Sequence, residues 1–183
     1  MNQHINQLLD WTPNTELAEK TMVSAEEHCR GMRHFAMGVS TITTGDSQAR
    51  AGLTATAVCS VTADPPRLVV FVNKGVYASE LILKSGALCV NLLAGEQEEV
   101  ARSFAGMIKD VQGESRFEYG QWDQLATGAP VLQNALANFD CRVVKVFDES
   151  THHAFLCEVL AVREREDGEA LVYLNGGFRQ IPQ

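Results

Sequence analysis

Between Ala51 and Asn73 the chain runs AGLTATAVCSVTADPPRLVVFVN, which reads as two adjacent strands joined by a Pro-Pro turn. In the first, Leu53, Ala55, Ala57, Cys59 and Val61 share one face. Thr54, Thr56, Ser60 and Thr62 share the other, with Val58 between them, because side chains on a strand alternate with a period of two. The small residues let a planar ligand approach the backbone closely. The same alternation also fits a Thr-rich antiparallel strand with its polar face in water. Asn73-Lys74-Gly75 ends the second strand just before a helix. A lysine with a helix N-terminus behind it suits phosphate: Lys74 acts as a point charge and Ser79 offers a hydroxyl one turn further on. A plain polar loop is the other reading. His152 and His153 stand before the last long apolar strand. They are either two turn histidines in water, or one of them points into a site at the strand mouth, where it donates to a ligand carbonyl or stacks on a ring.

Other chemistry is absent from the sequence. It contains no G-x-G-x-x-G after a strand, no P-loop, no H-E-x-x-H and no G-x-S-x-G. The five histidines have no metal-ligand spacing with a cysteine or carboxylate, so no metal site is expected. The five cysteines are odd in number and widely spaced, without a CxxC pair, which favours reduced thiols in a cytoplasmic protein. A net charge of −8 argues against broad nucleic-acid binding but leaves room for one anionic ligand held by a few local donors. No apolar run approaches the roughly 20 residues of a membrane span, and the N-terminus MNQHINQLLDW lacks the parts of a secretory signal. At 183 residues, 45% hydrophobic and 21% charged, the chain has the size and composition of one globular domain.

The elements that must position these residues can be read in order. Residues 1–27 are expected to form an arm or short helix, and residues 28–183 the domain. Ser24-Ala-Glu-Glu27 fits a capping box, and Cys29, Met32, Phe35 and Ala36 recur at helical spacing, with an end near Gly38. Strands are expected at Val39–Thr44, Ala87–Leu93, Phe139–Phe147, Ala154–Val162 and Leu171–Leu174, with helices at Val76–Lys84 and Gly95–Phe104. Gly45-Asp-Ser and Asp167-Gly168 are turn signals. Residues 106–130 read as an irregular connection, long enough to suggest a role of its own. Six or seven strands without strict βαβ alternation predict a mainly β fold, an antiparallel barrel or sandwich with peripheral helices.

Taken together, GLTATAVCSVTADPPRLVVFVNKG, LCVNLLAGEQEEVARSFAG, FDCRVVKVFDESTHHAFLCEV and LVYLNGGFR resemble the short-chain flavin reductase family over about residues 28–181. Within it they look like the reductase components of two-component monooxygenases of the 4-hydroxyphenylacetate 3-monooxygenase type. The resemblance implies an FMN-binding split β-barrel, usually a homodimer with sites near the subunit interface. It implies hydride transfer from NADH, with NADPH as the alternative, to FMN or FAD. The reduced flavin would then diffuse to a separate flavin-dependent oxygenase. A non-catalytic flavin-binding or storage protein is the rival on the same fold. By position, Thr54, Ala55, Thr56 and Ala57 would line the isoalloxazine ring, and Ser60, Asn73, Lys74 and Ser79 would hold the ribityl-phosphate end. Phe104, Ala105 and Gly106 would close one side. His152 matches a Gly-x-His associated with nicotinamide binding, but Ser150 stands where the family has Gly, and His153 is a substitute. No acid or base side chain is required, because the cofactor carries the hard chemistry and the protein supplies position.

Overall fold

A computed structural model describes residues 15–45 and 48–182. Most of the arm expected over residues 1–27, and Asp46 and Ser47 of the expected turn, lie outside the described residues. The chain divides into two compact units, residues 1–34 and 35–183. The first contains helices α1 (Thr15–Ala18) and α2 (Ala25–Met32). The predicted capping box is present: Glu27 N donates to Ser24 Oγ at 3.2 Å and Ser24 N donates to Glu27 Oε2 at 3.0 Å. The helix stops at Met32, short of the predicted end near Gly38. Met37 and Gly38 pair with a later strand instead, and that ladder satisfies backbone groups the helix would otherwise have used.

The second unit carries the strands β1 (Met37–Gly38), β2 (Ser40–Gly45), β3 (Arg50–Ala55), β4 (Val58–Ala63), β5 (Pro66–Asn73), β6 (Ala87–Leu92), β7 (Trp122–Asp123), β8 (Val131–Leu132), β9 (Ala137–Glu149), β10 (His152–Glu164), β11 (Ala170–Leu174) and β12 (Gly177–Ile181). Its helices are α3 (Tyr77–Ser85) and α4 (Glu98–Phe104). Seven strands form one antiparallel sheet in the order β3-β2-β6-β9-β10-β5-β4. β1, β11 and β12 form a second small sheet, and β7 and β8 a hairpin pair. The large sheet curls around Ile42, Val70, Val72, Leu88, Val90 and Phe155, all buried, to make the barrel interior. It does not close: β3 and β4, consecutive in the chain, are its two edges. This is a split barrel. β12 is an element that the sequence reading did not anticipate.

The Ala51–Asn73 stretch holds three strands where two were expected. The chain must leave β2's side of the sheet and join β5's side, so the ladder breaks at Thr56 and Ala57. Val58 N turns back to Thr56 O at 3.1 Å, and Ala57 O accepts from Phe71 N at 3.0 Å to start the new ladder. Beyond the break, Val58 and Ser60 face Val70 and Leu68 and point inward, whereas Cys59 and Val61 point out and are exposed. Cys59 therefore does not pack in the core as its apolar neighbours suggested.

Helix α3 plugs one end of the barrel through Ile82 and stops at Gly86, whose φ of 68° lies in the left-handed region that glycine enters without cost. Toward the Pro66–Leu68 end of β5 the interior opens into a cavity of about 550 Å³, lined by Thr56, Val58, Ser60, Thr62, Phe139 and Val162 among others. A second core lies outside the barrel, where Phe104 of α4 meets Phe117, Leu132 and Leu171. The connection from α4 to β9 is not structureless, since it contains a 3-10 segment at Gly113–Tyr119 as well as β7 and β8.

That connection is sealed onto the sheet by buried polar groups. Asn91 of β6 accepts from Leu132 N (2.8 Å) and Asn138 Nδ2 (2.9 Å) and donates to Thr41 O and Thr43 Oγ1, both at 2.9 Å. Thr43 Oγ1 donates to Pro130 O at 2.5 Å. The buried carboxylate of Asp140 accepts from both the backbone N–H and the hydroxyl of Thr127. Among the described residues no helix is long and apolar enough to cross a membrane.

Candidate functional site

The predicted site residues fall into three places. The first is the tip of the β9–β10 hairpin. Antiparallel register sets His152 opposite both Asn73 and Glu149, and His153 opposite Val72 and Asp148. Lys74 follows Asn73 and reaches across: its backbone N–H donates to Thr151 O at 3.0 Å, its Nζ donates to Ser150 O at 2.6 Å, and it pairs with Asp148. That pairing holds the Asp148 carboxyl below the usual carboxylate range. His152 is half-buried, with Nδ1 2.8 Å from Thr151 Oγ1. Ser79 is buried on α3, and its hydroxyl lies 3.0 Å from His153 Nδ1. Thus Asn73, Lys74 and His152 come together, and Ser79 joins them through His153. Ser150 has φ of 43°, so the turn keeps the left-handed backbone that a glycine would supply.

The second place is the outer side of β3 against α4. Thr54 Oγ1 donates to Ala101 O at 2.6 Å. Phe104 is buried against Gly52, where an added Cβ would lie 2.7 Å from Phe104 Cε1. This contact is why the strand carries glycine there. Ala105 and Gly106 follow, exposed, with Gly106 at φ 70°. The third place is the barrel interior. Thr56 and Ser60 line the 550 Å³ cavity, and Ala55 packs on the main core. Ala57 is exposed at the strand break.

A cleft of about 760 Å³ lies between the first two places. Its walls are Arg50, Ala51 and Gly52 of β3, Gly75 to Ala78 at the start of α3, and Gln112, Gly113, Glu114 and Arg116 of the long connection. Of these, Gly75 and the helix start behind it were read from the sequence as suited to phosphate; the rest of the wall was not singled out, although several of its residues neighbour ones that were. Gly75 before a helix was the available signal. Arg50 and Arg116 gave none, because arginines near a strand start and in a loop are ordinary. The cleft is built to receive an anion. Val76 caps α3 with no side-chain hydrogen bond, so the positive end of the helix faces the cleft without a capping side chain. Arg116 donates from Nη1 to Phe104 O at 3.4 Å, and its buried Nε has no protein partner. Arg50 donates from Nε to Glu114 Oε1 at 2.7 Å and lies 4.1 Å above the Phe117 ring centre. Gly75 and Gly113 keep parts of the wall free of side chains, which allows close approach of a flat group.

Burial pushes the Cys157 thiol up to about 12, and Cys89 and Cys141 are raised as well. Glu158, the one charged residue between Ala154 and Val162, bridges Arg67 and Arg142 at 2.7 Å each, which holds its carboxyl below the ordinary range.

Comparison with known proteins agrees with this architecture. The family model described as flavin reductase like domain matches residues 32–182. The FMN reductase (NADH) RutF of Stutzerimonas stutzeri is 42% identical over 159 residues, covering 87% of this chain and 90% of that protein. The 4-hydroxyphenylacetate 3-monooxygenase reductase component of Pseudomonas aeruginosa is 41% identical over 150 residues, covering 82% and 88%. Among solved structures, BorF, the flavin reductase component of a bacterial two-component tryptophan halogenase, superposes with a TM-score of 0.78 at 31% identity, covering 86% of this chain and 99% of its own. Flavin reductase PheA2 gives 0.79 at 29%, covering 88% and 100%. A match along nearly the whole second unit, in sequence and in superposed structure, means that this chain belongs to the flavin reductase like domain family.

Proposed function

We propose that this chain is an NADH-dependent flavin reductase, which transfers a hydride from NADH to FMN or FAD and releases the reduced flavin to a separate oxygenase component. The observation that carries the reading is the cleft between β3, α3 and the long connection. It joins an uncapped helix N-terminus, two arginines and a glycine-lined wall within a family of flavin reductases. A bound flavin supplies the hydride acceptor. The chain's own residues bind and orient. Arg116 and the first turn of α3 meet the phosphate, Gly75 and Gly113 admit the ring system, and Phe104 supports β3 from behind. His152, beside the end of β5, orients the nicotinamide. The barrel pairs with a second copy through the outer face of β5 and β9, where Phe71 and Phe147 are 41% and 45% exposed.

The test is turnover of purified protein with NADH or NADPH and with FMN, FAD or riboflavin, followed by NADH absorbance. FMN should outperform riboflavin because only FMN offers a phosphate. Arg116→Met should raise the KM for FMN about tenfold, the loss of one charge-assisted hydrogen bond, and leave riboflavin nearly unmoved. His152→Ala should raise the KM for NADH more than that for flavin. No oxidation of NADH above the protein-free rate, with tightly retained flavin, would favour a storage protein instead.

A further inference from the structure

We infer that Lys74 is a positioning residue: its ammonium latches the tip of the β9–β10 hairpin to the end of β5 and so sets the aim of His152. The inference rests on the reading of His152 as the nicotinamide contact, and it moves Lys74 off the flavin phosphate.

Three contacts of one residue carry it. The main chain of Lys74 extends the β5–β10 ladder one step past Asn73, through its N–H to Thr151 O at 3.0 Å. Its side chain donates to Ser150 O at 2.6 Å and pairs with Asp148, on the opposite arm of the hairpin. Lys74 therefore grips the two-residue turn from both arms. The turn needs holding. His152 pairs with Glu149 across it, so Ser150 occupies the first central position of a two-residue hairpin. Such turns demand positive φ there and favour glycine. Ser150 adopts φ 43° despite its Cβ, a conformation disfavoured for an L-residue. The bond from Lys74 to the Ser150 carbonyl stabilises that conformation. His152 lies two residues on, with its ring bonded to Thr151 Oγ1, and Thr151 is the residue whose carbonyl Lys74 holds. An ammonium already shared by a carbonyl and a carboxylate is also poorly placed to serve a phosphate.

The experiment compares Lys74→Met, Lys74→Arg and Asp148→Asn by steady-state kinetics and by amide hydrogen exchange over residues 148–153, with His152→Ala alongside. Lys74→Met should raise the KM for NADH about tenfold and that for FMN less than about twofold, and should speed exchange across the turn. Asp148→Asn, at an exposed position, should shift both readouts the same way by less. Lys74→Arg should restore most of both. A rise in the KM for FMN with that for NADH unmoved would put Lys74 on the phosphate and overturn the inference. Unaltered hairpin exchange in Lys74→Met would overturn it too. If His152→Ala leaves the KM for NADH unmoved while Lys74→Met still loosens the turn, the nicotinamide reading is the part that fails, and the positioning role falls with it.

Discussion

The α4–β9 connection and the tip of the β9–β10 hairpin both bring irregular backbone to the neighbourhood of the cleft, but they are fastened in opposite ways. The connection is sealed by groups with no access to water: Asn91, Thr43, Asn138 and Asp140 are all fully buried. The hairpin is held by Lys74, whose partner Asp148 is largely exposed. A buried hydrogen bond is costly to break because its partner is stranded without water, whereas an exposed one is replaced by solvent. The first kind of fastening fixes the fold. The second fixes only a direction, so a side chain can be held in place and still be released.

Breaking the buried fastening should have the largest effect. Asn91→Ala strands Leu132 N–H and one N–H of the Asn138 amide, whose other N–H keeps Leu132 O, at about 1–3 kcal/mol each. Denaturant unfolding should show a loss of about 3 kcal/mol or more, and a loss under about 1 kcal/mol would show that the seam does not hold the connection. Gly52→Ala comes next. Its Cβ would meet Phe104 at 2.7 Å and Ile42 O at 2.8 Å, an overpacking worth about 1–3 kcal/mol, and it should raise the KM for flavin as β3 and α4 part. A variant with full stability and an unmoved flavin KM would place the cleft's working wall elsewhere.

Smaller effects sharpen the exposed fastening. Ser150→Gly removes the strained Cβ and should gain up to about 1 kcal/mol. It should also blunt the effect of Lys74→Met on the KM for NADH, because the turn then holds its own shape. The smallest effect is that of pH. Asp148 and Glu158 have folded-state values below their ordinary ones, through Lys74 and through Arg67 and Arg142. Their contribution to stability is therefore complete above the normal carboxylate range, and it is lost as pH falls through the depressed values. Denaturant midpoints should be flat from neutrality to about pH 4 and decline below it. The decline should be shallower in Asp148→Asn and in Glu158→Gln. An equal decline in both variants would assign it to other carboxyls.

Much of this was legible in the sequence wherever local rules decide. The Ser24 capping box and the two long strands each follow from spacing within a few residues. What was not legible depends on partners far along the chain. Thr56 and Ala57 look like the middle of one strand, and only the competition between β2 and β5 for pairing makes them a break. Lys74 beside a helix start reads as a phosphate ligand, and only the register of β10 brings Ser150 to it. Arg50 and Arg116 become cleft residues because the long connection folds back beside β3 and α3. Periodicity reports which face a side chain takes, not what stands opposite.

The split between β3 and β4 has a consequence for how the chain reaches its native state. Thr56 and Ala57 join the two edges of the large sheet, so those edges cannot be set until everything between them is paired. That path runs through Ile42 with Val90, Val90 with Phe139, and Asn73 with His152, each joining remote parts of the sequence. The local pairings are the β2–β3, β4–β5 and β9–β10 hairpins. Closing the remote loops costs entropy before any contact repays it, and domains of this topology fold slowly. The central β9–β10 hairpin is the natural nucleus, with the β4–β5 hairpin docking on one side through β5, and β6 and then the β2–β3 hairpin on the other. The open seam of the barrel would then be the final piece of the sheet to form in refolding and the first to fray in hydrogen exchange.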